Sequence, residues 1–209
     1  MNPLPSTPEN LRWAAAELGR GNPVVFPTET VYGIAANARD DEAVARVFSL
    51  KRRSDTQPLS VCYQSLEQAS EDVFLNDFAL LLGKHWLPGP ITLLLRRRPE
   101  SKISHICSAG QETLGIRIPN HPVALELLNL LPFPLTATSA NLSGEASPKS
   151  ATEVANALAT NAMAIIDGGR CSVGVESTVL DLAGDVPRIL RAGAVEASEL
   201  MKKMQLKCF

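Results

Sequence analysis

Apolar positions recur along the chain with two different periods, and the switches between them lay out the predicted elements. Leu11, Ala14, Ala15 and Leu18 fall at the three-to-four spacing of an amphipathic helix. Ser6 to Glu9 offers a capping hydroxyl, a first-turn proline and an acidic residue, and Gly19 to Gly21 ends the pattern. Val24-Val25-Phe26, enclosed by Pro23 and Pro27, is β-branched and aromatic and predicts a buried strand. Asp40-Asp41 caps a second helix whose inner face carries Ala43, Val44, Val47 and Phe48.

Further strands are predicted at Leu59 to Tyr63, Ile91 to Leu95, Leu114 to Ile118, Pro134 to Thr138, Met163 to Ile166, Val175 to Leu182 and Arg188 to Arg191. Helical patterns lie between several of them, at Asp77 to Trp86, Val123 to Leu130, Ala151 to Ala159 and Glu196 to Met204. This alternation predicts an α/β or α+β fold on one large mixed sheet. With no repeat, low-complexity tract or linker, residues 1–209 read as a single domain.

Composition narrows the partners. At 45% hydrophobic residues the chain supplies a globular core, and a net charge of -2 argues against a wide basic surface that wraps nucleic acid. A local basic pocket stays open. Cys62, Cys107, Cys171 and Cys208 are too widely spaced for a zinc or redox pair, so no metal ligand set is assigned. The longest apolar runs, such as Pro90 to Leu95, are too short to span a bilayer, and no secretory apolar segment is present. A cytoplasmic protein with reduced thiols and no membrane partner is expected.

The common phosphate loops, Gly-x-Ser-x-Gly and His-Glu-x-x-His are all missing. His85, His105 and His121 fall outside any catalytic constellation and read as surface or capping residues.

Chemistry is concentrated in four polar clusters. Pro27 to Gly33 follows the strand at Val24; its hydroxyls can hold an amino-acid ligand or merely stabilise a turn. Lys51-Arg52-Arg53 closes the second helix, where cations complement the helix dipole or clamp a polyphosphate. In Leu114-Gly115-Ile116-Arg117-Ile118, alternation puts Gly115 and Arg117 on one face, so the guanidinium either meets a substrate carboxylate or snorkels over the sheet. Thr138 to Gly144 carries small hydroxyl and amide side chains that suit phosphate oxygens, or a plain strand-to-turn junction.

In order and wording these segments resemble the YrdC-like family of threonylcarbamoyl-AMP synthases, marked by a Lys-x-Arg pair, here Lys51-x-Arg53, and a Ser-x-Asn pair, here Ser139-x-Asn141. Pro88-Gly89-Pro90-Ile91-Thr92, Asp167-Gly168-Gly169, Glu176 to Asp181 and Ile189 to Gly193 reinforce it, so that the likeness runs from about Pro8 to Val195.

The resemblance implies a twisted mixed sheet with flanking helices and one deep positively charged cleft. It implies a nucleotidyltransferase that makes threonylcarbamoyl-AMP and pyrophosphate from L-threonine, bicarbonate and ATP, with magnesium bound mainly through ATP. A separate threonylcarbamoyl-transferase complex would then modify tRNA. Lys51, Arg53, Ser139 and Asn141 become the catalytic set, with Lys51 and Arg53 expected as exposed cleft residues. Arg53, Gln57, Thr113, Ser139, Ser147 and Arg191 are expected at ATP, and Thr30, Arg117, Ala137 and Ser177 at threonine. Cys62 stands where many relatives have a histidine near threonine, and a thiol cannot replace imidazole. Other relatives carry a further C-terminal domain over the cleft; with this chain ending at Phe209, any lid is expected from its own loops. The alternatives are a double-stranded RNA or tRNA-binding module with weak, salt-sensitive binding, and a family relative with another transferase activity or none.

Overall fold

The computed structural model describes residues 2–157 and 164–205. In chain order its elements are β1 (Leu4–Pro5), α1 (Pro8–Gly19), β2 (Val24–Phe26), β3 (Gly33–Ala35), α2 (Asp41–Lys51), β4 (Ser60–Cys62), α3 (Leu66–Ala69), α4 (Asp77–Trp86), β5 (Ile91–Arg96), β6 (Thr113–Arg117), α5 (Pro122–Asn129), β7 (Leu135–Ser139), α6 (Ala151–Ala157), β8 (Ala164–Asp167), β9 (Thr178–Asp181), β10 (Arg188–Arg191) and α7 (Ala197–Gln205). α1 starts where Thr7 accepts the amide of Asn10, and buries Leu11, Ala14 and Leu18. α2 starts on Asp40, which accepts the amides of Glu42 and Ala43, and buries the apolar face predicted for it.

Ten strands form one mixed sheet in the order β1-β8-β2-β3-β7-β4-β6-β5-β9-β10. Four parallel pairs (β1 with β8, β2 with β8, β4 with β6, β5 with β9) stand among antiparallel ones, which makes the sheet mixed as expected. One face carries Val61, Leu93, Ile116 and Leu180 into a core shared with Val44, Val47 and Phe48 of α2, Ala79 and Leu82 of α4, and Leu200 of α7. On the opposite face Val24, Phe26, Cys62, Leu135 and Ile166 pack against α1 and α5.

Strand periodicity then positions the site. Ser60 shares its side of β4 with Cys62, and Ala137 shares its side of β7 with Leu135, yet Ser60 and Ala137 line a cavity while Cys62 and Leu135 are covered. The cleft is therefore the stretch of that face, from β7 to β9, that α1 and α5 leave open.

Three short elements were not predicted: β1, β3 and α3. β9 begins at Thr178 and not at Val175, because the preceding residues turn into side-chain contacts described below. Predicted positions Leu158, Ala159, Met163 and Cys208 lie outside the described residues. Cys62, Cys107 and Cys171 are buried free thiols, and no described helix is long and apolar enough to cross a membrane.

Candidate active site

The cleft encloses about 870 Å³ above β7, β4, β6, β5 and β9. Its floor is built from small side chains in register: Ser60 faces Gly115 on one side and Ala137 on the other, and Thr92 lies beside Val179. A methyl on Gly115 would come within 3.2 Å of Ser60 Oγ and 3.5 Å of Thr92 Cγ2, so glycine here keeps the floor deep. Lys51, Arg53, Arg117 and Arg191 face Glu145 and Glu176 among the lining residues, an excess of positive charge.

At one end the three successive cations of α2 go three ways. The helix stops on Arg52 in the left-handed region (φ 49°), whose amide reaches Phe48 O and Ser49 O. That turn leaves Arg52 in solvent, folds Lys51 inward and returns Arg53 toward the cleft. Lys51 is 1% exposed, a correction to the exposed side chain expected for it. Its Nζ donates to Ser139 O and to Asn141 O, the latter at 2.7 Å, and so ties the end of β7 to α2. Burial, reinforced by Arg53 and opposed by Glu176, lowers the ammonium to about 8. Arg53 donates from Nε to Gln57 O (3.1 Å) and from Nη2 to Pro58 O (2.9 Å); burial and the nearby Arg191 lower its pKa, against Glu176.

Asn141 is 4% exposed and donates Nδ2 to Leu142 O (2.9 Å) and Glu145 O (2.8 Å), shaping the loop after β7. Its Oδ1 has no partner among the described residues. Arg191 crosses from edge strand β10: Nη1 meets Glu176 Oε2 at 2.7 Å, and Nε and Nη2 donate to Ser177 O at 3.2 and 2.9 Å. Ser147 Oγ donates to Glu176 Oε1 at 2.6 Å.

At the other end Arg117 is 7% exposed. Its Nη2 donates to Glu29 Oε1 (2.9 Å) and to Thr30 Oγ1 (2.7 Å), while Glu29 Oε2 accepts the amide of Asn120 (3.1 Å). The buried Arg117 Nε has no partner among the described residues. An orphaned buried guanidinium N–H beside a cavity is a receptor for an anionic ligand oxygen.

Ten of the twelve predicted site residues line this one cavity: Thr30, Lys51, Arg53, Gln57, Arg117, Ala137, Ser139, Asn141, Ser177 and Arg191. Ser147 stands behind it on Glu176, and Thr113 continues the Gly115 face of β6 beyond the lining residues. Cys62 does not reach the cleft; it lies in the apolar layer under α5, where burial pushes its thiol up to about 12. His121 caps α5, accepting the amide of Val123 on Nδ1 at 3.3 Å, as its reading as a capping residue required. Sequence reasoning missed Glu29 and Glu176, each adjacent to a predicted residue in a quoted motif but lacking any sequence signal for the arginine it meets. Among the described residues no three His, Cys, Asp or Glu side chains converge on a point that could hold a metal.

Residues 16–193 match the Sua5/YciO/YrdC family, described as "Telomere recombination". The chain belongs to this family. It is 41% identical to threonylcarbamoyl-AMP synthase of Pyrococcus abyssi over 196 residues, covering 92% of this chain and 56% of that protein. It spans about half the length of this and other curated relatives. A putative threonylcarbamoyl-AMP synthase of Methanocaldococcus jannaschii is 33% identical, with 92% of this chain and 89% of the relative covered. The crystal structure of P. abyssi Sua5 complexed with L-threonine superposes with a TM-score of 0.90 at 40% identity, over 94% of this chain and 57% of that one. The mixed sheet and flanking helices are thus those of the Sua5/YrdC structures.

Proposed function

We propose that the chain is an L-threonylcarbamoyladenylate synthase, a nucleotidyltransferase that joins threonine, bicarbonate and ATP in the cleft described above. The observation that carries this reading is the division of one cavity into two unlike ends. Arg117, whose Nε has no partner among the described residues and whose Nη2 meets Thr30, suits an amino-acid carboxylate. Lys51, Arg53 and Arg191 suit a polyphosphate. The names of the P. abyssi and M. jannaschii relatives, and the threonine complex of the former, agree with it.

The amino group of threonine condenses with bicarbonate to a carbamate, releasing water. A carbamate oxygen attacks the α-phosphorus of ATP, and the bond to the bridging oxygen breaks to release pyrophosphate. The carbamate is already anionic, so the protein needs to align it and neutralise the crowded phosphorus more than to remove a proton. Arg53 and Arg191 serve this at the cleft wall. Lys51 acts from beneath, its third N–H left for the cleft once two carbonyls are met. Magnesium enters as part of the ATP substrate; of the two carboxylates lining the cleft, Glu145 and Glu176, the latter is already engaged by Arg191 and Ser147. The product passes to a transferase complex that acts on tRNA, in a cytoplasmic setting.

Pyrophosphate release tests the reading. It is expected only when threonine, bicarbonate and ATP are present together; release that is independent of threonine contradicts it.

A further inference from the structure

We propose that Glu176 is a carboxylate latch on the polyphosphate end of the cleft: it yields the Ser147 hydroxyl and the Arg191 guanidinium to ATP on entry and takes them back as pyrophosphate leaves. The assignment rests on the proposed reaction for the identity of the polyanion, and on the geometry of one side chain for the rest. Glu176 lies in the turn before β9 and lines the cleft, with 37% of its side chain exposed, so it is free of the core. Its Oε1 accepts the Ser147 hydroxyl at 2.6 Å and its Oε2 meets Arg191 Nη1 at 2.7 Å. An ionised carboxylate only accepts, so the single Ser147 proton is spent on it. Two residues expected at ATP are thus held by one protein carboxylate, and Ser147 stands behind it, outside the lining of the cleft.

The two sides of this contact are unequally anchored. Arg191 does not depend on Glu176: its Nε and Nη2 donate to Ser177 O at 3.2 and 2.9 Å, and Nη2 reaches Ser177 Oγ at 3.2 Å. Ser177 Oγ in turn lies 2.8 Å from Thr92 Oγ1 on the cleft floor. The backbone beneath is fixed as well. A methyl on Gly193 would approach Glu176 O to 2.4 Å and Ser177 O to 2.6 Å, so the chain after β10 packs backbone to backbone on residues 176 and 177. Ala194 also donates to Glu176 O at 2.8 Å. The Glu176 carboxylate has only Ser147 and Arg191 as partners among the described residues, so a rotation of its side chain frees both while Arg191 and the backbone stay in place.

A phosphate that reached Arg191 with the carboxylate still on it would set two anions in contact, a repulsion relieved when the Glu176 side chain turns away. One charge-assisted contact then replaces another. The carboxylate therefore lowers the affinity for every polyanion that must displace it, pyrophosphate included, and its return keeps the donors met as the product departs.

The test is calorimetry of a non-hydrolysable ATP analogue and of pyrophosphate on the parent chain, E176Q, R191A and the pair. E176Q keeps the shape and removes the charge; both polyanions are expected to bind it about tenfold tighter, the difference between a charge-assisted and a neutral hydrogen bond, while threonine binds as in the parent. In the R191A background the gain is expected to shrink to about twofold, because the contact being exchanged is gone. Unchanged or weaker polyanion binding by E176Q, or a tightening that extends to threonine, overturns the latch. So does an equal gain with and without Arg191, which marks repulsion at a distance. A parent chain that binds neither the ATP analogue nor pyrophosphate overturns the proposed function along with it, and that first titration tells the two failures apart.

Discussion

Lys51 and Arg53 occupy one sequence motif but stand in different physical situations. Lys51 is buried and holds two backbone carbonyls, so Lys51→Ala leaves both unmet and is expected to lower stability by about 1–3 kcal/mol as well as activity. Arg53→Ala removes a partly exposed guanidinium held only by its own loop; it is expected to melt with the parent while slowing adenylate formation about a hundredfold. Thermal melts beside pyrophosphate assays check both, and equal melting of the two variants contradicts this division. pH separates them further. The ammonium of Lys51 is lowered to about 8, so its charge is present below that pH and is lost as pH rises through it. kcat/KM for ATP should fall above about pH 8, whereas bound polyphosphate favours the charged form and moves the limb in kcat to higher pH. A flat kcat/KM profile through this range would contradict a role for the Lys51 charge. At the other end, Arg117 and Thr30 imply selectivity by polar contacts: threonine first, serine next, valine last, because valine leaves a buried partner unpaired while serine loses only a methyl. Valine binding as tightly as threonine in calorimetry would contradict that order. These residues could be picked from the sequence because periodicity puts Gly115 and Arg117 on one side and motif wording supplies the rest. The partners Glu29, Glu176 and Thr92 could not, since a long-range hydrogen bond leaves no local mark on composition or spacing.

At the scale of elements, the basic connection from α2 to β4 is the candidate for the lid expected from this chain's own loops. The structure makes it more specific. Arg52 and Arg53 amides are held by Ser49 and Phe48 carbonyls, and Gln57 by Ser54, which leaves Ser54 to Thr56, where the Thr56 amide donates only to the Ser54 hydroxyl at 3.4 Å, as the least tied part. If ATP orders the segment, hydrogen exchange should slow chiefly at Ser54 to Thr56 with a non-hydrolysable analogue, and more with threonine and bicarbonate added. Unchanged exchange there in all states would contradict nucleotide-driven closure. α4 and β10 were legible from their own patterns and carry the predicted bounds. β3 escaped because Gly33-Ile34-Ala35 has a single branched residue, and its strand character comes from pairing with β2 and β7. β9 read too long because Val175 to Ser177 alternates like a strand but leaves the ladder to meet Arg191, Ser147 and Thr92.

For the molecule as a whole, one sheet face divided between helices and an open cleft accounts for both stability and chemistry. α1 and α5 cover the part bearing Val24, Cys62 and Leu135; the part bearing Ser60, Thr92, Gly115 and Arg117 lines the open cleft. The central claim is that threonine, bicarbonate and ATP meet there in one reaction. Mass spectrometry of the product made from ATP, threonine and isotopically labelled bicarbonate tests it most directly. An adenylate carrying threonine and the labelled carbon, formed together with pyrophosphate, is the predicted result. ATP turnover without such an adenylate, or an adenylate of threonine lacking the labelled carbon, would contradict the account.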